Sequence, residues 1–141
     1  MEGSLTPHRI VNPETLAPPQ GFAHAVVAAP GRTVYLGGQI GCDRTGRVTA
    51  DTVSEQFDDA AANVVEALRA AGGAPEHLVS LQIFVTDVEA YRASSAPVGA
   101  AYRRHFGRHY PAMALFEVSR LFDPAALVEL VGIAVVPGSA E

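Results

Sequence analysis

The chain has 141 residues and a net charge of −5 at pH 7, and 48% of its residues are hydrophobic. This composition predicts one compact domain over residues 1–141, with residues 1–20 forming an N-terminal strand and loop. The acidic balance argues against nucleic-acid and anionic-membrane binding, both of which favour a basic surface. The single cysteine, Cys42, and the lack of an apolar leader or a membrane-spanning run together predict a reduced, cytoplasmic setting.

The first predicted elements are short strands. Residues 8–12 and 23–29 have strand patterns, and a third strand begins in residues 33–36, which are β-branched and aromatic. Pro30-Gly31 is a turn signal between the second and third of these strands. The pattern therefore predicts that they form a hairpin.

The clearest helix is predicted over residues 51–71. Thr52 and Glu55 fit a capping box, in which each side chain satisfies a free amide of the first turn. Gly72-Gly73 supplies a C-terminal stop. The apolar positions recur every three or four residues and predict one buried face, made of Val53, Phe57, Ala60, Ala61, Val64, Leu68 and Ala71.

A buried strand and a second helix follow. Residues 78–86 form an apolar run that is too short for a confident helix and rich in valine and isoleucine, which predicts a strand buried on most of both faces. The second helix is expected to begin at Pro97, with Ser95 or Ala96 as its cap, and to end at Gly107.

Two final strands are predicted over residues 113–118 and 127–136. The order of strands, helix, strand, helix and strands predicts an α+β fold with a single mixed β-sheet and two helices on one face. The other face still carries apolar side chains. Because an uncovered apolar face of this size is an association surface, the sequence also predicts an oligomer.

Short sequence blocks spread over residues 10–137 carry a family resemblance. The blocks are Phe22-Ala23-His24-Ala25-Val26, Val34-Tyr35-Leu36-Gly37-Gly38-Gln39-Ile40, Phe84-Val85-Thr86-Asp87-Val88, Pro111-Ala112, Val118-Ser119-Arg120-Leu121 and Val128-Glu129-Leu130. Each block is weak alone, but together and in this order they resemble the Rid family (reactive intermediate deaminases, the YjgF-like or RidA proteins).

This resemblance implies the YjgF/chorismate-mutase-like fold and a homotrimer, in which the uncovered sheet faces form a central barrel-like core. Three clefts for a small-molecule ligand then lie at the subunit interfaces. It also implies hydrolysis of 2-imino acids to 2-keto acids and ammonia, with no cofactor and no metal. In the family an arginine follows Pro-Ala and grips the substrate carboxylate, whereas this chain has Met113 there.

The resemblance assigns candidate site residues. Glu129 matches the family's cleft glutamate and is the candidate catalytic residue, which would orient or activate the attacking water; its alternative role is an interface salt bridge. Met113 is either a packing residue or the wall of a cleft for an apolar or uncharged ligand. The residues implied to bind substrate are Phe22, His24, Gly37, Gly38, Gln39, Met113, Ala114 and Leu115.

Five polar positions of the family cleft are less polar here. The resemblance implies that Met113, Phe22, Gly37 and Leu115 stand where the family has arginine, tyrosine, serine and cysteine. The family's asparagine has no direct counterpart in the longer segment here, and Gly99 falls nearest to it. Five such replacements together indicate a changed ligand rather than one broken residue. An arginine elsewhere in the chain remains a possible substitute anchor, and the candidates are Arg103, Arg104, Arg108 and Arg120.

Two further constellations are weaker. Strand alternation puts Glu117 on the same face as Met113, and a pair of Glu117 with Glu129 has the residue types for acid–base work. His105 and His109 are spaced like metal ligands on a helix, but Gly107 interrupts the spacing and no third ligand completes a set.

Three functions stay open. The favoured one is a Rid-like protein that binds or transforms a small metabolite in inter-subunit clefts and is not a standard 2-imino acid deaminase. The second is an enamine or imine deaminase with a rearranged carboxylate anchor, a hydrolase of C–N bonds. The third is a non-catalytic, partner-binding trimer. Ribonuclease activity, also attributed to the family, lacks support from a net-negative chain without an arranged histidine pair.

Overall fold

The structure is a computed structural model that describes residues 5–138. Its strands and helices are named here in chain order. They are β1 (Arg9–Val11), β2 (Ala25–Val27), β3 (Gly31–Tyr35), α1 (Val53–Ala70), a 3-10 turn (Pro75–His77), β4 (Leu78–Val85), α2 (Val88–Ala93), α3 (Ser95–Phe106), β5 (Ala112–Glu117) and β6 (Val128–Pro137).

A four-stranded mixed sheet forms the centre of the fold, with the strand order β3-β6-β4-β5. Strand β6 is antiparallel to both β3 and β4, and β5 is parallel to β4. Strands β1 and β2 form a separate antiparallel ribbon. The Ala23 amide donates to the Pro111 carbonyl at 3.0 Å, which joins the chain just before β2 to the start of β5. The predicted α+β fold with a mixed sheet is confirmed.

The predicted hairpin between residues 23–29 and 33–36 is wrong. Strand β2 pairs with β1, and β3 pairs with β6. Gly31 is not a turn residue but the first residue of β3, opposite Pro137. A Cβ atom at Gly31 would overlap the Val136 carbonyl, so this glycine is needed for the close approach of β3 to β6.

Helix α1 forms within the predicted range, over Val53–Ala70, and Thr52 is its N-cap. The Thr52 hydroxyl accepts a hydrogen bond from the Glu55 amide at 3.2 Å, and Gly72, with φ of 91°, follows the end of the helix. Ala71, predicted on the buried face, lies beyond the helix end and is exposed. The buried face instead includes a polar residue, Gln56.

The second half of the chain holds two helices where one was predicted. Helix α2 is capped by Asp87, whose carboxylate accepts from the Ala90 amide at 3.1 Å. Helix α3 then begins at Ser95, two residues before the predicted start, and ends before Gly107, as predicted, where φ is 69°. Sequence patterns miss α2 because six residues give less than two turns of apolar periodicity.

Strand register sorts the sheet side chains onto two faces. The face that packs against α1 and α3 carries fully or nearly fully buried residues of β4 and β6, namely Leu81, Ile83, Val85, Val128 and Leu130. The opposite face carries Phe84 and Phe116, whose rings stack with centroids 5.6 Å apart. On this outer face Phe116 is 45% exposed and Tyr35 is 78% exposed. Among residues 5–138, no helix is long and apolar enough to cross a membrane.

Histidines tie the N-terminal ribbon and the segment before β5 to the start of β4. His8 bonds through Nε2 to the His77 carbonyl at 3.0 Å and accepts the Ala29 amide at Nδ1, also at 3.0 Å. His109, only 5% exposed, donates from Nε2 to the Leu78 carbonyl at 2.8 Å. Burial lowers the pKa of His109 below its ordinary value of 6.5, although the bond to Leu78 acts in the opposite direction.

Stability is therefore expected to fall as the pH drops below 6.5. The unfolded chain takes up a proton on His109 near this pH, whereas the folded chain resists it, so the stabilisation is complete above 6.5 and declines until the folded pKa is reached. Urea unfolding at about pH 7.5 and about pH 5.5 measures this loss. The His109→Gln variant keeps a donor for Leu78 and should lose less stability over the same interval; equal losses in both proteins would contradict the assignment.

Candidate functional site

A cavity of 490 Å³ lies on the helix side of the sheet, between β5, α2, α3 and the loop before β2. Its walls are mainly apolar and aromatic. The side chains that define it are Phe22, Tyr91, Tyr102, Tyr110, Met113 and Leu115. We refer to it below as the β5 cavity.

Strand β5 supplies one wall of the β5 cavity. Met113 pairs in register with Leu81, and Leu115 pairs with Ile83, so both side chains point to the helix face. Leu81 and Ile83 lie beside them on β4 and belong to the hydrophobic core. Strand β5 is at the edge of the sheet, so the loop that carries Phe22 can lie along its free edge. The wall at the family's arginine position is therefore hydrophobic.

Tyrosines form the second wall. Tyr102 and Tyr110 stack with centroids 5.1 Å apart and planes 6° from parallel. The Tyr102 hydroxyl donates to the His109 carbonyl at 2.6 Å. Burial raises the pKa of Tyr102 well above its usual range, and it raises the pKa of Tyr91 as well. Both phenols therefore stay protonated at neutral pH and cannot act as bases.

Helix α3 brings a cation to the mouth of the β5 cavity. Ser95, Gly99 and Arg103 follow one another at four-residue intervals on one face of α3, and all three line the cavity. A Cβ atom at Gly99 would lie 3.3 Å from Nη1 of Arg103, so the guanidinium lies directly over this glycine. Arg103 is the one ionised side chain among the described residues that line the cavity.

Glu129 belongs to a different surface. It pairs in register with Phe84, so its side chain is on the outer face of the sheet. A Cβ atom at Gly38 would overlap Oε2 of Glu129, which means that the Gly38 backbone lies directly against the carboxylate. Gln39 exchanges backbone hydrogen bonds with Leu130, at 2.8 and 2.9 Å, and so fixes this contact. Only glycine at position 38 leaves the carboxylate where it is.

The predicted site residues thus form two groups. Phe22, Met113, Ala114 and Leu115 line the β5 cavity, together with Gly99. Gly37, Gly38, Gln39 and Glu129 lie at the junction of β3 and β6. Within one chain the sheet separates Met113 from Glu129, because they are on opposite faces.

His24 joins neither group. Its Nε2 bonds to the Ala17 carbonyl at 2.7 Å, and its amide donates to the Asn12 side chain at 2.8 Å. Its ring makes an edge contact with Phe22, with centroids 5.3 Å apart. His24 therefore holds the loop before β2 in place and packs against Phe22.

The suggested Glu117–Glu129 pair does not form within the chain. Glu117 is on the helix face with Met113, as predicted, and its carboxylate accepts from the Val88 amide at 2.9 Å at the start of α2. Glu129 is on the other side of the sheet. The two carboxylates of one protomer therefore cannot share a ligand.

The remaining candidates are also separated. His105 bonds to Asp58 at 2.5 Å rather than meeting His109. Arg104 pairs with Asp58 at 3.0 Å, which leaves it away from the β5 cavity. Arg108 lines a smaller pocket beside the N-terminal ribbon. No group of three potential metal ligands occurs among residues 5–138.

Sequence patterns did not identify Tyr91, Tyr110 and Phe57 as cavity residues. Each comes from a different segment, and only tertiary packing brings them to one place. For Tyr110 a signal existed, because it directly precedes Pro111-Ala112 at the start of the signature strand.

The model of the endoribonuclease L-PSP family matches residues 13–136, nearly the whole chain. The chain belongs to this family, which includes the Rid proteins. The predicted resemblance to the Rid family is thereby confirmed. In this Rid-family chain, Met113 and Glu129 lie on opposite faces of the sheet.

Individual Rid-family relatives agree with this assignment. The 2-iminobutanoate/2-iminopropanoate deaminase of Homo sapiens is 31% identical over 91 residues, which span 64% of each protein. RutC family protein UK114 of Drosophila melanogaster is 33% identical over 121 residues, or 85% of this chain and 82% of that protein. The solved structure of YyfB from Yersinia pestis, described as a conserved Rid-family protein, is 30% identical with a TM-score of 0.82 and covers 92% of this chain and 98% of that one.

Proposed function

We propose that this Rid-family protein binds a small organic molecule in the β5 cavity, as a homotrimer, and does not act as a 2-iminobutanoate/2-iminopropanoate deaminase. The observation that carries the proposal is Met113, which lines the cavity at the position where the family resemblance implies the substrate-gripping arginine. In this proposal the protein keeps the Rid fold, and its ligand differs from the 2-imino acids that the family resemblance implies.

Energetics support the change of ligand. A carboxylate buried against the Met113 thioether without a compensating cation or hydrogen bond costs at least several kcal/mol, so an acid cannot place its carboxylate at the position on β5 that the family resemblance implies. Leu115, two residues along the same face, offers no donor either. The volume of 490 Å³ lies within the range of small-molecule sites, about 300–1,000 Å³.

The homotrimer is supported by the outer face of the sheet. Phe116 and Tyr35 are exposed there, and Phe84 lies beside Phe116. Large exposed aromatic side chains on the sheet face opposite the helices support a contact with another chain. Glu129, Gly38 and the edge of this face would then meet a neighbouring copy, where the carboxylate reaches a ligand or an arginine that its own chain does not offer.

Imine hydrolysis is the second candidate function. It is favoured by the contact of Gly38 with Glu129, which keeps a carboxylate in a defined position for water activation, and by the deaminase name of the human relative. In this alternative, an arginine other than one at position 113 holds the substrate carboxylate. The histidines do not support ribonuclease chemistry, because His24, His105 and His109 bond separately to Ala17, Asp58 and Leu78.

The proposal predicts that the protein does not accelerate the hydrolysis of freshly generated 2-iminobutanoate at micromolar concentration. Met113→Arg is expected to remain inert as well, because Phe22, Gly37 and Leu115 also depart from the family pattern. Release of 2-ketobutyrate above the uncatalysed rate, followed with a coupled dehydrogenase, is the measurement. Acceleration by the unmodified protein would establish the second candidate instead.

Two controls make this assay decisive. The 2-iminobutanoate/2-iminopropanoate deaminase of Homo sapiens serves as the reference protein under the same conditions. The Met113→Arg variant is compared with unmodified protein for molar mass in solution and for melting temperature. Activity gained by a variant of unchanged mass would show that the loss is confined to position 113 and would contradict a remade cleft.

A further inference from the structure

We propose that Arg103 anchors an organic anion at the mouth of the β5 cavity, and that the ligand is a monocarboxylate with an aromatic body. This inference rests on the proposed function, since it names the ligand class of the same cavity. It moves the anion-binding group from strand β5, where Met113 stands, to helix α3 on the opposite wall.

The body of the ligand follows from the walls. Tyr102 and Tyr110 present a stacked pair, Phe22 and Tyr91 add two more rings, and Met113 closes the cavity with a flexible thioether. Aromatic rings and methionine sulfur both form favourable contacts with an aromatic ligand. The described lining residues include no carboxylate, so nothing in the walls repels an anion.

The charge of the ligand follows from Arg103. Its neighbours on the helix surfaces are neutralised within the chain, since Arg104 pairs with Asp58 and Arg92 pairs with Glu89. No ion pair or hydrogen bond of the Arg103 side chain occurs among residues 5–138. One guanidinium balances one negative charge, and its planar fork matches a carboxylate in a bidentate manner.

The absence of a side chain at Gly99 makes this arrangement possible. Gly99 lies one turn before Arg103, and even a methyl group there would approach Nη1 to 3.3 Å. Ser95, one further turn back, also lines the cavity. The small residue at position 99 thus leaves room for the Arg103 guanidinium on this wall of the cavity.

The test compares phenylacetate with phenylacetamide, which differ in charge and hardly in shape. Binding is followed through the methyl signal of Met113 in protein labelled at its methionine methyl groups. The sequence has two methionines, Met1 and Met113, so the signal is assigned with a Met113→Leu variant. A ring placed against Met113 shifts this methyl resonance directly, which reports occupancy of the cavity rather than binding elsewhere.

We expect phenylacetate to bind more tightly than phenylacetamide, and Arg103→Met to weaken phenylacetate roughly ten- to a hundredfold, as for the loss of a charge-assisted hydrogen bond. Arg103→Lys should give an intermediate affinity, because the charge remains and the fork is lost. The matched control is Arg69→Met, which removes an exposed arginine from the last turn of α1, away from the cavity. It should change neither affinity.

The outcomes separate this inference from the proposed function. Equal binding of the acid and the amide, unchanged in Arg103→Met, would overturn the role of Arg103 while leaving the cavity as a ligand site. No shift of the Met113 methyl signal with either probe would overturn the aromatic monocarboxylate as the ligand class, whereas the proposed function is tested separately by the imine hydrolysis assay. An equal loss of acid and amide in Arg103→Met would show that the side chain only supports the structure, which also contradicts the inference.

Discussion

Phe57→Ala is expected to lower the free energy of unfolding by about 3–5 kcal/mol, the usual cost of removing a fully buried aromatic ring. Phe57 is 0% exposed, belongs to the buried face of α1, and makes an edge contact with Tyr91 at 6.4 Å between centroids. The alanine leaves a void between α1, α2 and the sheet that neighbouring side chains fill only in part. Urea unfolding at neutral pH measures the loss.

Phe122→Ala is the matched control for this prediction. It deletes the same atoms from a fully exposed side chain in the loop between β5 and β6, so the expected change is within about 0.5 kcal/mol. Because Phe57 also lines the β5 cavity, its alanine variant should additionally alter ligand affinity, whereas the control should not. Similar losses of stability in the two variants would contradict the core position of Phe57.

Gln56→Leu is expected to lower the free energy of unfolding by about 3 kcal/mol, although leucine is a better apolar residue for a helix face. The Gln56 side chain, 2% exposed, donates to the Ala50 and Ala125 carbonyls, both at 3.1 Å, and accepts from the Leu127 amide at 2.7 Å. Leucine fills the volume but leaves these three backbone groups without their partner. The cost of leaving these buried polar groups without partners exceeds the gain from burying the leucine side chain.

Gln20→Leu provides the comparison for this variant, since Gln20 is exposed in the loop before β2 and the exchange is chemically identical. It should change stability by less than about 0.5 kcal/mol. Gln56→Glu supplies a second comparison, because it keeps an acceptor for Leu127 but loses both donors. If Gln56→Leu were as stable as the unmodified protein, the three bonds would have no net role in folding.

The chain order of the main elements could be predicted because their signals are local. Helix α1 has a capping threonine, a regular apolar stripe and a glycine stop, all within one segment. The pairing of strands was harder. Pro30-Gly31 has the composition of a turn, yet Gly31 is extended in β3 against β6, a contact between residues more than a hundred positions apart. Gln56 could be recognised as polar within a stripe, but its three backbone partners could not.

The candidate site shows the same division between local and distant information. Alternation along β5 correctly places Met113, Leu115 and Glu117 on one face. The local sequence does not show that the Glu129 side chain is on the opposite face of the sheet, because its direction depends on the register of β6 with β4. The approach of Arg103 to the cavity required the packing of α3 over β5, which no spacing in the sequence encodes.

The opposite orientations of Met113 and Glu129 have a kinetic consequence. One chain cannot present both groups to one small molecule, so any reaction that uses both must draw them from two chains. Its specific rate would then fall on dilution, as the assembly dissociates, whereas binding that uses the β5 cavity of one chain keeps the same affinity at every protein concentration. The reaction order in protein therefore distinguishes shared chemistry from simple occupancy, before any ligand is named.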